Sequence, residues 1–264
     1  MALKQHKDDR VRFEQQVDNS RSYVLPFIAA TKKPGTEVRV LEIGCGEGGV
    51  LVPFAEAGCH CVGVDLDPKR IDLANGFLEK FVQAGNAEFL YKNVYDDDFL
   101  SRFKNYFDVI ILKDAIEHIP DQELFIPYLK NLLKRDGQIF FGFPPWYMPF
   151  GGHQQIASRK IAMMPYYHIL PRPIYKRLLK IFGEGDGVIK ELLEIYDTRI
   201  SIERFERIIR KSGLQVLKKQ HFLINPIYKY KFGWKPVKQS RIISAIPFAR
   251  NFLTTCVYYT VGIS

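Results

Sequence analysis

The sequence predicts an α/β protein: a doubly wound, mostly parallel sheet of seven strands, with a further region inserted after the fifth. Three observations carry that prediction. Short apolar runs alternate with helix-like runs through residues 39–143, at the spacing of strand–helix units. The fourth such run, Phe107–Lys113 (FDVIILK), is apolar throughout its middle, as strands covered on both faces of a parallel sheet are. After Pro144-Pro145 the alternation stops for roughly 50 residues, longer than an ordinary connection.

Each element has its own warrant in the sequence. Arg39–Gly44 (RVLEIG) is the first strand, and Gly49–Ala57 reads as a helix closed by Gly58. His60–Leu66 is the second strand. Asp67 and Pro68 then supply a cap and a first-turn proline for a helix running to about Ala84. Ala87–Val94 is the third strand. Asp121–Lys134 reads as a helix ended by Arg135-Asp136-Gly137, with Pro127 expected to kink it. Gln138–Phe143 is the fifth strand. Beyond the insertion, Ser201–Ser212 places Ile202, Phe205, Ile208 and Ile209 on one stripe, with Gly213 at the end. Leu214–Ile224 and Thr254–Gly262 complete the seven.

The 264 residues fit one domain. Within it we expect an N-terminal helical segment (1–38), a core (39–143), a lid or substrate insertion (144–200), and a C-terminal helix with an antiparallel strand pair (201–264). Hydrophobic residues at 47% and charged residues at 25% exclude a disordered chain. Four cysteines are too few and too irregularly spaced for a disulfide framework, so a reducing cytoplasm is the expected setting. The opening MALKQHKDDRVRFEQQ lacks the apolar core of a signal peptide. No stretch reaches the ~18 apolar residues of a membrane span.

The net charge of +9 is unevenly spread. Residues 1–150 carry 18 Lys/Arg against 22 Asp/Glu, and residues 151–264 carry 20 against 7. Lys/Arg at 172, 176, 177 and 180, and at 204, 207, 210 and 211, follow helical spacing, as solvated faces do. An acidic substrate or an anionic lipid surface would account for the surplus. Nucleic acid ranks below both, because no RNA- or DNA-binding motif is present.

The strongest local signal is Leu41-Glu42-Ile43-Gly44-Cys45-Gly46-Glu47-Gly48-Gly49. Glycines here let the backbone turn between strand and helix and approach a ligand closely. Gly44, Gly46 and Gly49 satisfy G-x-G-x-x-G, with Asp65 some 20 residues on as a ribose-binding acid. Alone, the pattern fits NAD-type dinucleotides, S-adenosylmethionine, or a tight structural turn. Glu42 and Glu47 would repel a pyrophosphate and suit a ligand bearing a sulfonium and an ammonium, so charge favours the methyl donor.

Four further segments follow in order: GVDLDPKRIDLA, FLYKNVYDDDF, FDVIILKDAIEHIPD and LLKRDGQIFFGFPP. With VLEIGCGEGG before them, the sequence resembles the class I S-adenosylmethionine-dependent methyltransferases over most of its length. The run Ile116-Glu117-His118-Ile119-Pro120-Asp121 is similar to small-molecule O-methyltransferases of quinone biosynthesis. The resemblance implies a Rossmann-like methyltransferase fold whose last two strands pair antiparallel at the sheet edge.

It also implies roles. Gly44, Cys45 and Gly46 would pass under the carboxypropyl and ribose portion of S-adenosylmethionine, with Glu42 supporting its amino group through water. Asp65 would accept from both ribose hydroxyls, and Leu66 would wall the adenine. Asn93, beside Val94, stands where the family has aspartate; an amide can donate and accept but brings no charge. Lys113 is unusual at its position and would contribute its backbone carbonyl.

Methyl transfer from a sulfonium is an in-line displacement that calls for alignment rather than for a metal, and no metal-ligand set is expected. The acceptor atom is expected to be oxygen or nitrogen; a hydroxyl acceptor needs its proton removed, which an imidazole can do. His118, His153 and His168 are the candidates. His118 leads because it follows a strand's carboxyl end, with His153 in the insertion second. Asp114 lies close to His118 in sequence. The insertion (PPWYMPFGGHQQIASRKIAMMPYYHILPRPIYKRLLK) is aromatic and apolar, suiting a lid over an apolar or lipid-like acceptor or a second small core. Gly151-Gly152 reads as its hinge. The competing functions are an NAD(P)-dependent oxidoreductase and a non-catalytic methyltransferase-like binding protein.

Overall fold

A computed structural model describes residues 8–263; residues 1–7, at the start of the expected N-terminal segment, and Ser264 lie outside the described residues. The strands are β1 (Arg39–Ile43), β2 (His60–Asp65), β3 (Ala87–Tyr91), β4 (Phe107–Lys113), β5 (Leu133–Phe143), β6 (Leu214–Ile224), β7 (Val237–Lys238) and β8 (Cys256–Ile263). They form one sheet in the order β3-β2-β1-β4-β5-β8-β6-β7. β1 to β5 are parallel, and β8 runs antiparallel between β5 and β6. The chain winds outward from β1 in both directions, so the crevice for a ligand lies at the carboxyl ends of β1 and β4.

The described sheet has eight strands where seven were expected. The addition is β7, a two-residue edge strand in the long connection between β6 and β8, paired with Phe222 and Ile224. Two residues are too few to show a period.

Residues 9–29 are helical: α1 (Asp9–Asn19) passes through a π-helical turn at Ser20–Val24 into α2 (Leu25–Ala29). The Asp8 carboxylate caps α1 by accepting from the N–H groups of Arg10 and Val11. After β1 comes the short α3 (Val52–Glu56). The helix expected from Asp67 to Ala84 is two, α4 (Pro68–Phe77) and α5 (Glu79–Gln83), because Leu78 leaves helical geometry to bury its side chain. α6 (Asp97–Phe103) precedes β4. The helix expected over Asp121–Lys134 is shorter still: α7 (Gln122–Tyr128) holds Pro127 in its last turn. β5 therefore starts at Leu133, not Gln138. Phe107 pairs with Leu133 and Val109 with Gln138, so residues 134–137 bulge out of the ladder.

Alternate residues of the central strands fill two cores, Leu41, Ile110 and Phe141 on one face and Val40, Ile111 and Phe140 on the other. The insertion has a third core of its own. Trp146, Tyr175, Leu192 and Tyr196 pack together where α8 (Arg172–Ile181) meets α9 (Asp186–Thr198). Its ends are tied by the Trp146 N–H donating to the Ile200 carbonyl at 2.8 Å. α10 (Ile202–Lys211), capped by the Ser201 hydroxyl, leads into β6. Three short helices, α11 (Tyr228–Phe232), α12 (Arg241–Ala245) and α13 (Ala249–Phe252), occupy the connection to β8.

Candidate active site

Where β1 ends, Gly44 (φ +72°) and Gly46 (φ +53°) turn the chain through conformations that a side chain would strain. A Cβ on Gly44 would stand 3.2 Å from that of Ala115, so the loop lies close against the end of β4. Val64 at the end of β2 accepts from the N–H groups of Gly44 and Cys45 at 2.8 and 3.0 Å. Asp65 completes the junction: one carboxylate oxygen accepts from Gly46 N–H at 2.9 Å, the other from Asp67 N–H at 3.0 Å. Asp65 is thus held in place by backbone donors before any ligand arrives.

A cavity of about 600 Å³ opens over these strand ends. Of the expected residues it is lined by Gly44, Asp65, Leu66, Asn93, Val94 and His118. Ile43, Tyr95, Ile119 and Phe125 make much of the wall apolar, and Arg70 and Glu191 reach it from α4 and α9. Asn93 accepts from Tyr95 N–H through its amide oxygen, so its amide NH₂ is what it has left to offer a ligand. That is the opposite polarity to a carboxylate.

Glu42, Cys45, Gly46, Lys113 and His153 do not line the cavity. The Cys45 side chain turns beneath the loop, where a Cβ on Gly63 would meet its sulfur at 2.9 Å. Burial raises its thiol pKa well above the ordinary value, so a ligand would meet only its backbone. Gly46 lies under the Arg70 guanidinium. Glu42 sits inside the sheet at 2% exposure, with one carboxylate oxygen lacking a hydrogen-bond partner. Burial, and then the nearby Asp65, push its pKa well up, while Lys113 pulls the other way. The Glu47 carboxylate is buried and paired with Arg12 of α1, so its charge fastens the N-terminal helix to the loop and is not offered to a ligand as expected.

Beyond β4, Asp114 takes a left-handed conformation (φ +52°), its N–H donating to the Gly142 carbonyl at 2.7 Å. Its carboxylate binds the Lys113 ammonium. Burial disfavours both charges, but each outweighs that for the other: Asp114 titrates below and Lys113 above its ordinary value. A single 3₁₀ turn then presents Ile116, Glu117 and His118. Glu117 is buried with neither carboxylate oxygen bonded among the described residues. Burial, reinforced by Asp114, raises it to about 8.

His153 places Nε2 3.9 Å from the Glu117 carboxylate and its ring centroid 5.1 Å from that of His118. Burial, then His118, lowers His153 to about 4, and burial also lowers His118. Both imidazoles are therefore uncharged bases at neutral pH. Glu117, His118 and His153 offer ligand atoms within 4.8 Å of one another, close enough to hold a divalent cation, an arrangement not expected from the sequence. Glu117 stands in the Ile-Glu-His-Ile run, and its burial, which local sequence does not signal, depends on how the insertion packs. The Thr198 hydroxyl at the end of α9 donates to the Glu117 carbonyl at 2.5 Å.

His168 takes no part. It is buried beside Trp146, with Nε2 2.7 Å from the Trp146 carbonyl and Nδ1 2.5 Å from the Gln154 amide nitrogen, and burial lowers it to about 4. Nor is Gly151-Gly152 built as a hinge. A Cβ on Gly151 would strike the Trp146 carbonyl oxygen at 2.1 Å, and one on Gly152 the His168 Cβ at 2.3 Å. These glycines permit close packing.

The residues present fit S-adenosylmethionine. The glycine turn leaves room for a ligand and Asp65 faces the cavity; Glu42, off the cavity, keeps a buried carboxylate oxygen without a hydrogen-bond partner.

A methyltransferase-domain family model matches residues 13–165. A ubiquinone biosynthesis O-methyltransferase of Aromatoleum aromaticum is 31% identical over 103 residues, covering 39% of this chain and 42% of that protein. A mitochondrial protein of the same name from Bos taurus is 23% identical over 217 residues, covering 78% and 52%. The chain thus spans under half the length of the first of these relatives. Among solved structures, the geranyl diphosphate C-methyltransferase of Streptomyces coelicolor superposes with a TM-score of 0.57 at 14% identity, covering 92% of this chain and 80% of that one. The magnesium protoporphyrin IX methyltransferase of Synechocystis, solved with S-adenosylhomocysteine bound, gives 0.54 at 16%, covering 98% and 86%. Likeness at this identity shows a shared fold.

Proposed function

The chain belongs to the methyltransferase-domain family, and from that premise we propose that it moves a methyl group from S-adenosylmethionine to a hydroxyl on a small, apolar or lipid-like acceptor. One observation carries the reading. A single cavity runs from the Asp65 carboxylate and Gly44 to the His118 imidazole, which supports a donor held at one end and a base for the acceptor at the other. When bound, S-adenosylmethionine supplies a methyl group activated by its sulfonium.

The chain's own residues do the rest. Gly44 and Gly46 leave space for the ligand's backbone-facing side, Asp65 orients the ribose diol, and Leu66 and Val94 cover adenine faces. Glu42, buried off the cavity, would support the ammonium through water. His118, uncharged at neutral pH, takes the hydroxyl proton, and alignment of the two substrates supplies much of the rate. His153 and Glu117 stand near His118, His153 uncharged and Glu117 holding its proton at neutral pH, so His118 keeps an unprotonated ring for the hydroxyl. The lid over residues 144–200 closes the acceptor side, with Glu191 reaching the cavity.

Names among the relatives favour an acceptor resembling a ubiquinone precursor, and the apolar wall of Ile43, Tyr95, Ile119 and Phe125 suits one. An apolar acceptor of that kind would partition into a bilayer, and the enzyme would then work at its surface. No helix among the described residues is long and apolar enough to cross one. Four free, buried cysteines suit a reducing compartment, and we place the protein in the cytoplasm. The test is an acceptor screen with labelled methyl donor: transfer to apolar hydroxyl compounds supports the reading, and donor binding without transfer to any acceptor supports a binding role instead.

A further inference from the structure

Glu206 is the last acidic residue of the chain: residues 207–264 contain 11 Lys/Arg and no Asp or Glu. We infer that the connection between β6 and β8, residues 225–255, is a docking surface for an anionic lipid bilayer. The connection exposes apolar side chains beside its cations. Ile242 is 76% exposed, Phe248 69% and Trp234 57%, with Lys235, Lys238 and Arg241 exposed among them.

The backbone is built to hold those side chains out. Phe248 adopts φ +62° and ψ −53° in a three-residue turn closed by the Ala249 N–H donating to the Pro247 carbonyl at 2.7 Å. A bulky residue is strained there. The turn is fixed by α10 instead of by burial of the ring: Phe248 N–H donates to Glu203 at 2.9 Å, and the buried Arg250 binds Glu203 and Glu206 at 2.8 and 2.7 Å. Asn251 accepts from the Ile202 N–H at 2.9 Å, docking α13 on the start of α10. Strain in a turn that leaves an aromatic ring in solvent suits a side chain whose partner is outside the chain.

The surface joins the insertion. The Phe252 ring lies 5.5 Å from that of Tyr147 and 6.4 Å from that of Tyr166, both partly exposed. At the other end, the Phe232 ring lies tilted against that of Trp234, centroids 5.3 Å apart. Exposed aliphatic and aromatic groups set among uncompensated cations match a lipid interface, where rings and methyls enter the headgroup layer and lysines meet phosphates. A nucleic-acid backbone would give Ile242 nothing to bury against. The basic helix α8 differs: Arg172 is paired with Asp197, and Lys176 and Lys180 share a groove with Asp186 and Glu194 of α9. The charge argument stands whether or not the acceptor is a lipid.

The test uses Trp234, since the other tryptophan, Trp146, is 4% exposed. The full chain is mixed with phosphatidylcholine vesicles with and without phosphatidylglycerol, reading emission wavelength and co-sedimentation. Binding and a blue shift are expected with the anionic vesicles alone, weakening as salt rises. Ile242→Ser with Phe248→Ser should lower partitioning roughly tenfold or more. Lys235→Glu, Lys238→Glu and Arg241→Glu together should abolish the anionic preference, while Lys176→Glu, Arg177→Glu and Lys180→Glu should not. S-adenosylhomocysteine affinity and melting temperature, unchanged in every variant, separate docking from fold and from the methyl-transfer reading. The inference is overturned by absent binding, by equal binding to neutral vesicles, or by dependence on α8 instead. A concentration-dependent dimer that Phe248→Ser dissolves would also overturn it, assigning the surface to a second copy.

Discussion

Asp65 and Glu117 are carboxylates near the same cleft, and their surroundings are opposite. Both oxygens of Asp65 accept backbone N–H groups; neither oxygen of Glu117 has a partner among the described residues. The first is fixed before a ligand binds, as a recognition group should be, because ordering it adds no cost at binding. The second is left with unmet bonding capacity beside two uncharged imidazoles, which is how a site keeps a group reactive. The Asp65 end of the cleft is preformed, whereas Glu117 keeps bonding capacity unmet.

The largest effect expected at the acceptor end is on turnover. His118→Ala should lower the rate roughly 10²–10⁴-fold while cofactor affinity survives. The pH profile sharpens the assignment. Because burial lowers His118, the wild-type rate should fall only at acid pH and stay flat above neutrality. A rate that climbs through about pH 8 would move the proton-accepting role to Glu117.

Glu117 makes a second, separable prediction. Its pKa in the folded chain is raised from 4.5 to about 8, so it holds a proton more tightly folded than unfolded. Its stabilising contribution is complete below the unfolded value and is lost as pH rises through about 8. Glu117→Gln cannot titrate and should flatten that part of the melting-temperature curve. An unchanged curve would show that the carboxyl is ordinary and solvated.

The preformed end depends on the N-terminal helix. Arg12→Ala would leave Glu47 buried and unpaired, costing about 3 kcal/mol, the low end for a broken buried pair because Arg12 is itself partly exposed. Denaturant unfolding reads it. Asp65→Ala should cost about 1.5–3 kcal/mol of cofactor affinity with less effect on folding. Unchanged affinity would remove Asp65 from the site. The smallest effect belongs to Glu42, whose raised pKa an ammonium ligand would lower again. Binding should release a fraction of a proton, measured by calorimetry in buffers of different ionisation heat, and Glu42→Gln should release none.

The same contrast divides what could be read from the sequence. The strands from β1 to β5 and the glycine turn are local: apolar runs set the strands, and glycines with a following acid mark the turn. Asp65, Leu66, Asn93 and His118 reach one cavity because fold topology puts strand ends together. What escaped is non-local. The Arg12–Glu47 pair spans two elements, and the burial of Glu117 needs α9 of the insertion packed against its turn. His168 looked like a catalytic candidate and Gly151-Gly152 like a hinge until packing showed what each touches. Helix ends at Leu78 and Tyr128 differ from the periodic pattern because a buried side chain and a proline in the last turn override it.

The account rests on the cleft being made for the methyl donor, and one titration tests that most directly. Calorimetry of the chain with S-adenosylhomocysteine, and separately with NAD, should show saturable 1:1 binding of the first and no heat from the second. Saturable NAD binding with no heat from S-adenosylhomocysteine would contradict it.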